Sequence, residues 1–224
     1  MQNRHIDRKR YFDELAKTSE EFYIDYLKPY KNIGPGCKVL EIGCGEGGNL
    51  LPFAQAGCKV AGLDLAAGKI DNARKFFATL ETEGEFACAD FLKTNPFEND
   101  GLFDIILIHD VIEHIEPEGK DAFFERLKMY LKPDGIIFFA FPAWQMPFGG
   151  HQQICRSKVC SKVPFMHVLP VFMYKAWLKM FGEQKDKIDE LLSIKRSRMT
   201  PEKFEKLCAR HGYEIKDRIF WFFS

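Results

Sequence analysis

The stretch 38–48, Lys-Val-Leu-Glu-Ile-Gly-Cys-Gly-Glu-Gly-Gly, limits the folds open to this chain more than any other. A short apolar run ends on Gly43, Gly45 and Gly48 in the spacing G-x-G-x-x-G, and Gly47 makes the spacing G-x-G-x-G as well. Residues 49–56 then suit a helix that Gly57 stops. Strand, glycine turn and helix in that order open a βαβ unit, because glycine accepts the tight turn and lets backbone approach a ligand closely. The alternation continues, with strands expected at 59–64, 85–90, 103–109 and 136–141 and a helix at 66–80. A further helix, capped by Asp121, buries Phe123, Leu127, Tyr130 and Leu131 before Lys132-Pro133-Asp134-Gly135 turns the chain into the fifth strand. The run 103–109 is apolar on both faces, as a central parallel strand should be. Five strands joined by helices predict an α/β fold, a doubly wound, mostly parallel sheet with helices on both faces. Ligands of such sheets sit at the carboxyl ends of the strands.

Three segments flank this rhythm. Residues 1–35 read as an N-terminal helical cap, since Phe12, Leu15, Ser19, Phe22, Tyr23 and Leu27 form one stripe before Lys28-Pro29 ends the helix. Residues 143–199 break the alternation with Pro147, Gly149, Gly150, Pro164 and Pro170, and they contain a helical-looking stretch at 171–181. They read as a lid inserted after the fifth strand. Thr200-Pro201-Glu202 opens a helix that Gly212 stops, and 213–223 reads as an apolar sixth strand. The ligand-binding domain is thus 36–142 with 200–224. Lys plus Arg equals Asp plus Glu at 32 each, which argues against a general nucleic-acid binder. No apolar run reaches bilayer length, and seven cysteines at irregular positions suit reduced thiols in a cytoplasmic protein.

The glycine spacing alone does not choose between a dinucleotide and another nucleoside, but charge does. A dinucleotide brings a pyrophosphate to the loop, where carboxylates would repel it. Here Glu41 precedes the first glycine and Glu46 lies inside the loop. Those anions suit an ammonium and a sulfonium, and S-adenosylmethionine carries both, with no phosphate. Its ribose hydroxyls suit Asp64, which lies 21 residues after Gly43. A nicotinamide-dependent oxidoreductase is the alternative that the two glutamates disfavour.

Val39 to Gly47, Asp64, Ala89-Asp90-Phe91, the run from Phe103 through His109-Asp110-Val111-Ile112-Glu113-His114, and Leu131 to Gly135 occur in the order of the motifs of class I S-adenosylmethionine-dependent methyltransferases. The chain resembles that family over roughly 36–142, and its Asp-Val-Ile-Glu-His run most resembles the ubiquinone-biosynthesis O-methyltransferase branch. The resemblance implies a Rossmann-like fold. It also implies cofactor contacts from Glu41, Gly43, Gly45, Gly47, Asp64, Leu65, Asp90, Phe91 and His109. The family usually closes its sheet with two final strands, whereas this sequence shows one. A naked apolar edge would then invite a homodimer or reflect truncation.

Methyl transfer is an in-line displacement at an activated methyl, so the protein mainly aligns the reactants. A hydroxyl acceptor, the expected one, also gains from a base of near-neutral pKa. His114, His109 and His151 are the catalytic candidates. Asp110, Glu113 and His114 would share one face of a helical turn. They would then hold a divalent cation, as the quinone branch implies, or serve only as structural polar pairs. No metal is expected. A non-catalytic S-adenosylmethionine binder is the remaining alternative.

In the lid, His151 or His167 can face the acceptor, and His151, Cys155, Cys160 and His167 are a weak zinc pattern because they lack C-x2-C pairing. The apolar stretch 163–181 would admit an apolar or aromatic small-molecule acceptor, touch a membrane surface, or pack on the core. Lys195-Arg196-Ser197-Arg198 would meet a phosphate or form a solvated face.

Overall fold

The computed structural model describes residues 7–220. The first residues of the expected cap and the end of the expected sixth strand lie outside them. Five strands form one parallel sheet in the order β3-β2-β1-β4-β5: β1 (Lys38–Ile42), β2 (Lys59–Asp64), β3 (Glu85–Cys88), β4 (Phe103–His109) and β5 (Leu131–Ala140). Chain order reverses between β1 and β4, which opens a crevice at their carboxyl ends. The core lies on both sheet faces. Phe12, Phe53, Ile105 and Leu107 pack on one side and Leu40, Ile106, Phe123 and Phe124 on the other.

The N-terminal helix α1 (Arg8–Thr18) starts at Asp7, whose carboxylate accepts from the Arg10 amide at 3.0 Å. A π-helical turn over Ser19–Tyr23 leads into α2 (Ile24–Leu27). The extra residue of that turn brings Ser19 inward, where its hydroxyl donates to the Asn49 carbonyl at 2.7 Å. A side chain at Gly48 would meet the Phe12 carbonyl at 2.6 Å, so this glycine lets α1 close over the loop. Helices α3 (Leu51–Gln55), α4 (Ala67–Thr79) and α5 (Lys120–Leu127) cover the sheet.

The expected turn 132–135 is absorbed as an irregularity inside β5. Phe103 pairs with Leu131, yet Ile105 pairs with Ile136. Pro133 offers no ladder donor, so the extra residues loop out. Asp121 does not cap α5. Gly119 is the cap, and Asp121 lies in the first turn, paired with Arg210 and His211 at 2.8 Å.

The insert contains α6 (Val171–Met180) and α7 (Lys185–Ser197), the second of which sequence reading missed. It has its own core of Cys155, Cys160, Tyr174, Leu178, Ile188 and Leu191. Helix α8 (Pro201–Arg210) begins as expected, with the Thr200 hydroxyl accepting from the Lys203 amide at 3.2 Å.

The sixth strand does not form, as residues 213–220 are irregular. Side chains hold this tail instead. Tyr213 donates to the Phe124 carbonyl at 2.9 Å, and Arg218 pairs with Glu205. β5 is therefore the edge strand among the described residues. All seven cysteines are free thiols.

Candidate active site

The glycine loop follows β1 and is tied to β2. The amides of Gly43 and Cys44 donate to the Leu63 carbonyl at 2.8 and 3.0 Å. Asp64, at the end of β2, accepts from the amides of Gly45 at 3.0 Å and Ala66 at 2.8 Å, and Lys69 stands 3.7 Å away. The three loop glycines with positive φ do different work. A side chain at Gly43 would meet Val111 Cγ2 at 2.5 Å, and one at Gly47 the Phe86 ring at 2.8 Å. At Gly45 it would meet nothing within 4 Å, so this glycine faces the open crevice.

The two loop glutamates differ as well. Glu46 is fully buried and clamped by Arg8 of α1 at 2.6 and 2.5 Å. Its charge is neutralised there, so the sequence expectation that it attracts a cation does not hold. Glu41 is buried with no basic partner. Its Oε1 accepts from Asn49 Nδ2 at 2.7 Å, while Oε2 is left without a donor. Burial pushes its pKa up to about 8, against the pull of the Asn49 hydrogen bond. Asn49 Nδ2 lies 3.4 Å from His109 Nδ1, and its own Oδ1 has no partner. Tyr23 stands edge-on to the His109 ring at 6.1 Å, and burial raises its phenol pKa, helped by Glu41 and Asp110.

Beyond β4 the chain does not make the expected helical turn. Asp110 has φ +52°, in the left-handed region, which turns its side chain out of line with Glu113 and His114. The insert takes its place. His151, also left-handed at φ +56°, brings Nε2 to 3.0 Å from Glu113 Oε1. The two are close enough for an ion pair but too poorly aligned to count as a hydrogen bond, and both Glu113 oxygens stay without a donor. His114 faces the His151 ring at 5.1 Å.

Donor atoms of Glu113, His114 and His151 lie within 4.8 Å of one another. Asp110 is not of that group, so the sequence-expected ligand set is not assembled. Burial pulls the His151 pKa down, but the Glu113 carboxylate outweighs it and the net shift is upward. Burial lowers the His114 pKa, and Glu113 only partly offsets this. Lys120, at the start of α5, donates to the carbonyls of Ile112 at 2.6 Å and Ile115 at 2.8 Å and so fixes the turn that carries the pair.

Residues 39–135 match a family described as the methyltransferase domain. Over these residues the chain is similar to class I S-adenosylmethionine-dependent methyltransferases. Ubiquinone biosynthesis O-methyltransferase of Actinobacillus pleuropneumoniae serotype 7 (strain AP76) is 32% identical over 123 residues, 52% of this chain and 50% of that one. Phosphoethanolamine N-methyltransferase 3 of Arabidopsis thaliana is 37% identical over 122 residues, 54% of this chain and 23% of that one. The chain thus spans about a quarter to a half of the length of these relatives. The cyclopropane synthase MmaA2 from Mycobacterium tuberculosis shares the fold, with a TM-score of 0.59 and 23% identity over 87% of this chain and 61% of that one.

The crevice of the methyltransferase domain fits S-adenosylmethionine. Two buried acceptors without donors, Glu41 Oε2 and Asn49 Oδ1, suit an ammonium, and Gly45 leaves room beside them. Leu65 is exposed at the tip of β2. Asp90 accepts from the Leu92 amide at 2.9 Å and pairs with Lys93 at 2.9 Å. The Phe91 ring packs at 5.0 Å on Phe123 in the core, so any contact with a ligand falls to its backbone. His109 belongs with Glu41 and Asn49 rather than with the His114 cluster.

The weak zinc pattern is dispersed. His167 Nε2 lies 2.9 Å from the Trp144 carbonyl, His151 faces Glu113, and Cys155 and Cys160 sit by Glu183. The basic run is a solvated face only in part, since Arg196 and Arg198 are exposed. Lys195 is buried and donates to the His167 carbonyl at 2.7 Å, and Arg196 pairs with Glu116 at 2.5 Å. Arg8, Asn49 and Lys120 were missed from sequence. Only Asn49, eight residues after Glu41 in a local loop, left a signal there.

Proposed function

We propose that this chain transfers a methyl group from S-adenosylmethionine to a hydroxyl oxygen of a small molecule, with His114 as the base. The carrying observation is the trio of buried Glu113 and half-buried His114 and His151 at the carboxyl end of β4. When bound, the cofactor supplies a methyl on a sulfonium sulfur. Glu41 and Asn49 hold its ammonium, and Asp64 faces its ribose. Gly45, Leu65, Asp90 and the Phe91 backbone line its path.

An amine attacks through its own lone pair, whereas a hydroxyl must lose a proton as it attacks. A neutral imidazole takes that proton. His114, held below the ordinary histidine pKa by burial, is neutral at pH 7. Glu113 favours the imidazolium that forms there. The insert acts as a lid that brings His151 to this point and shields the reacting groups from water.

A nicotinamide cofactor finds no support, since residues 39–135 match a methyltransferase domain. A non-catalytic binder would leave the trio without use.

The test is methyl transfer to catechol and to phosphoethanolamine, followed across pH. The reading expects methylation of the catechol oxygen, with an acid limb in kcat/KM below pH 6.5 that His114→Ala removes. A limb above pH 6.5 would move the base to His151, whose pKa is raised. Turnover of phosphoethanolamine alone would end the hydroxyl assignment.

A further inference from the structure

The chain is neutral overall, with 32 basic and 32 acidic residues, but its charge is not evenly spread. Residues 156–181 contain Arg156, Lys158, Lys162, Lys175 and Lys179 and no Asp or Glu. All five are exposed. Nearly half of the large apolar side chains that stand exposed among the described residues fall in this same short segment. Phe172 is 74% exposed, Met180 71%, and Val168 and Val171 54% each.

The arrangement on α6 is two-sided. Tyr174 and Leu178 are fully buried in the insert's own core. At 3.6 residues per turn, Phe172, Ala176, Lys179 and Met180 fall on the opposite side. Packing has therefore used one side of this helix and left an apolar and cationic side outward. Ahead of α6, Phe165 holds φ +62°, a conformation that an aromatic residue rarely adopts, and its ring is 48% exposed. A backbone strained to present an apolar ring to water points to something that covers the ring.

Charge and hydrophobicity together identify the occupant. Apolar side chains interleaved with lysines, in a segment that itself contains no carboxylate, match the boundary of a bilayer that carries anionic lipids. Apolar groups enter the acyl boundary while the ammonium groups stay at phosphate level. The same segment is joined to the crevice, because the insert that bears it also brings His151 to Glu113. We infer that the outer face of residues 156–181 docks on an anionic lipid bilayer, setting the mouth of the crevice at the membrane surface.

Vesicle co-sedimentation of the full chain tests this. Expected is strong binding to vesicles of phosphatidylcholine mixed with phosphatidylglycerol, weak binding to phosphatidylcholine alone, and loss of binding at high salt. Lys175→Gln with Lys179→Gln should weaken binding about thirtyfold, and Phe172→Glu should abolish it. These residues are exposed, so the fold should survive, and an unchanged melting temperature checks that. Absence of binding to the anionic vesicles would overturn the inference, as would equal binding to both vesicle types or variants that bind as the parent does. So would a lipid-free dimer that Phe172→Glu dissociates, since a second copy would then be the occupant of this face.

Discussion

A buried carboxylate with one oxygen lacking a donor is costly unless a ligand completes it, and Glu41 is that residue. Its pKa is pushed up to about 8 in the folded protein, against an ordinary glutamate value of 4.5. Between these two values the cofactor-free folded state keeps a proton that the unfolded chain releases. The stability of the cofactor-free protein should therefore fall as pH rises from about 4.5 to 8. Glu41→Gln should flatten that slope and raise the melting temperature at pH 8. It should also weaken S-adenosylmethionine binding by about 2 kcal/mol, because the ammonium loses a charged acceptor. Binding by the parent protein at pH 7 should release a proton, visible in calorimetry as a dependence on the buffer's ionisation enthalpy. A Gln variant with the same pH slope and the same affinity would show that Glu41 is only a packed core residue. The placement of Glu41, Asp64 and Gly45 around one crevice was legible in the sequence because each lies in a strand-end pattern whose spacing one βαβ unit fixes. The neutralisation of Glu46 by Arg8 was not, since the partners are 38 residues apart and meet only once α1 closes on the loop. His151 opposite Glu113 escaped notice for the same reason. The left-handed backbone at Asp110 also leaves no mark in residue type.

At the scale of elements, the first helical residue of α5 acts on the turn before it. Lys120 places a cation at a helix N-terminus, where the helix dipole disfavours it. It is nevertheless 5% exposed and donates to two carbonyls of the turn carrying Glu113 and His114. Burial lowers its pKa to about 8, although Glu113 nearby favours the charged form. Lys120→Met keeps the length of the side chain and removes the donors, leaving two carbonyls unsatisfied. The variant should lose about 1–3 kcal/mol in chemical denaturation. Its turnover should fall more than its cofactor affinity, because Glu41 and the glycine loop are untouched. A matched fall in both would place Lys120 in the general scaffold. The five strands were legible because apolar runs alternate with helical stretches. The tail 213–220 misled because its apolar composition hides Asp217 and Arg218, whose side chains tie it to Tyr26 and Glu205 in place of a ladder. Asp121 was read as a cap from its residue type, but the backbone geometry gives that place to Gly119.

For the whole molecule, the question is how the insert is held against the sheet domain. Two kinds of contact do this. A largely buried one joins His151 to Glu113. An exposed one joins α7 to the segment after β4, where Glu116 accepts from Arg196 at 2.5 and 3.1 Å and from the Ser193 hydroxyl at 2.7 Å. Exposed ion pairs contribute at most about 1 kcal/mol to stability, so Arg196→Ala should hardly move the melting temperature. The pair nevertheless lies only two residues from His114, and loosening it frees the insert to swing His151 away from Glu113. The KM for the acceptor should then rise several-fold while the dissociation constant for S-adenosylmethionine stays unchanged, because the cofactor crevice is built from β1, β2 and α1. Amide exchange in α7 should quicken in the same variant, and Arg196→Lys should recover part of the loss. If the cofactor constant moved with the acceptor KM, the insert and the glycine loop would form one rigid body. The insert would then be a fixed wall of the crevice instead of a lid.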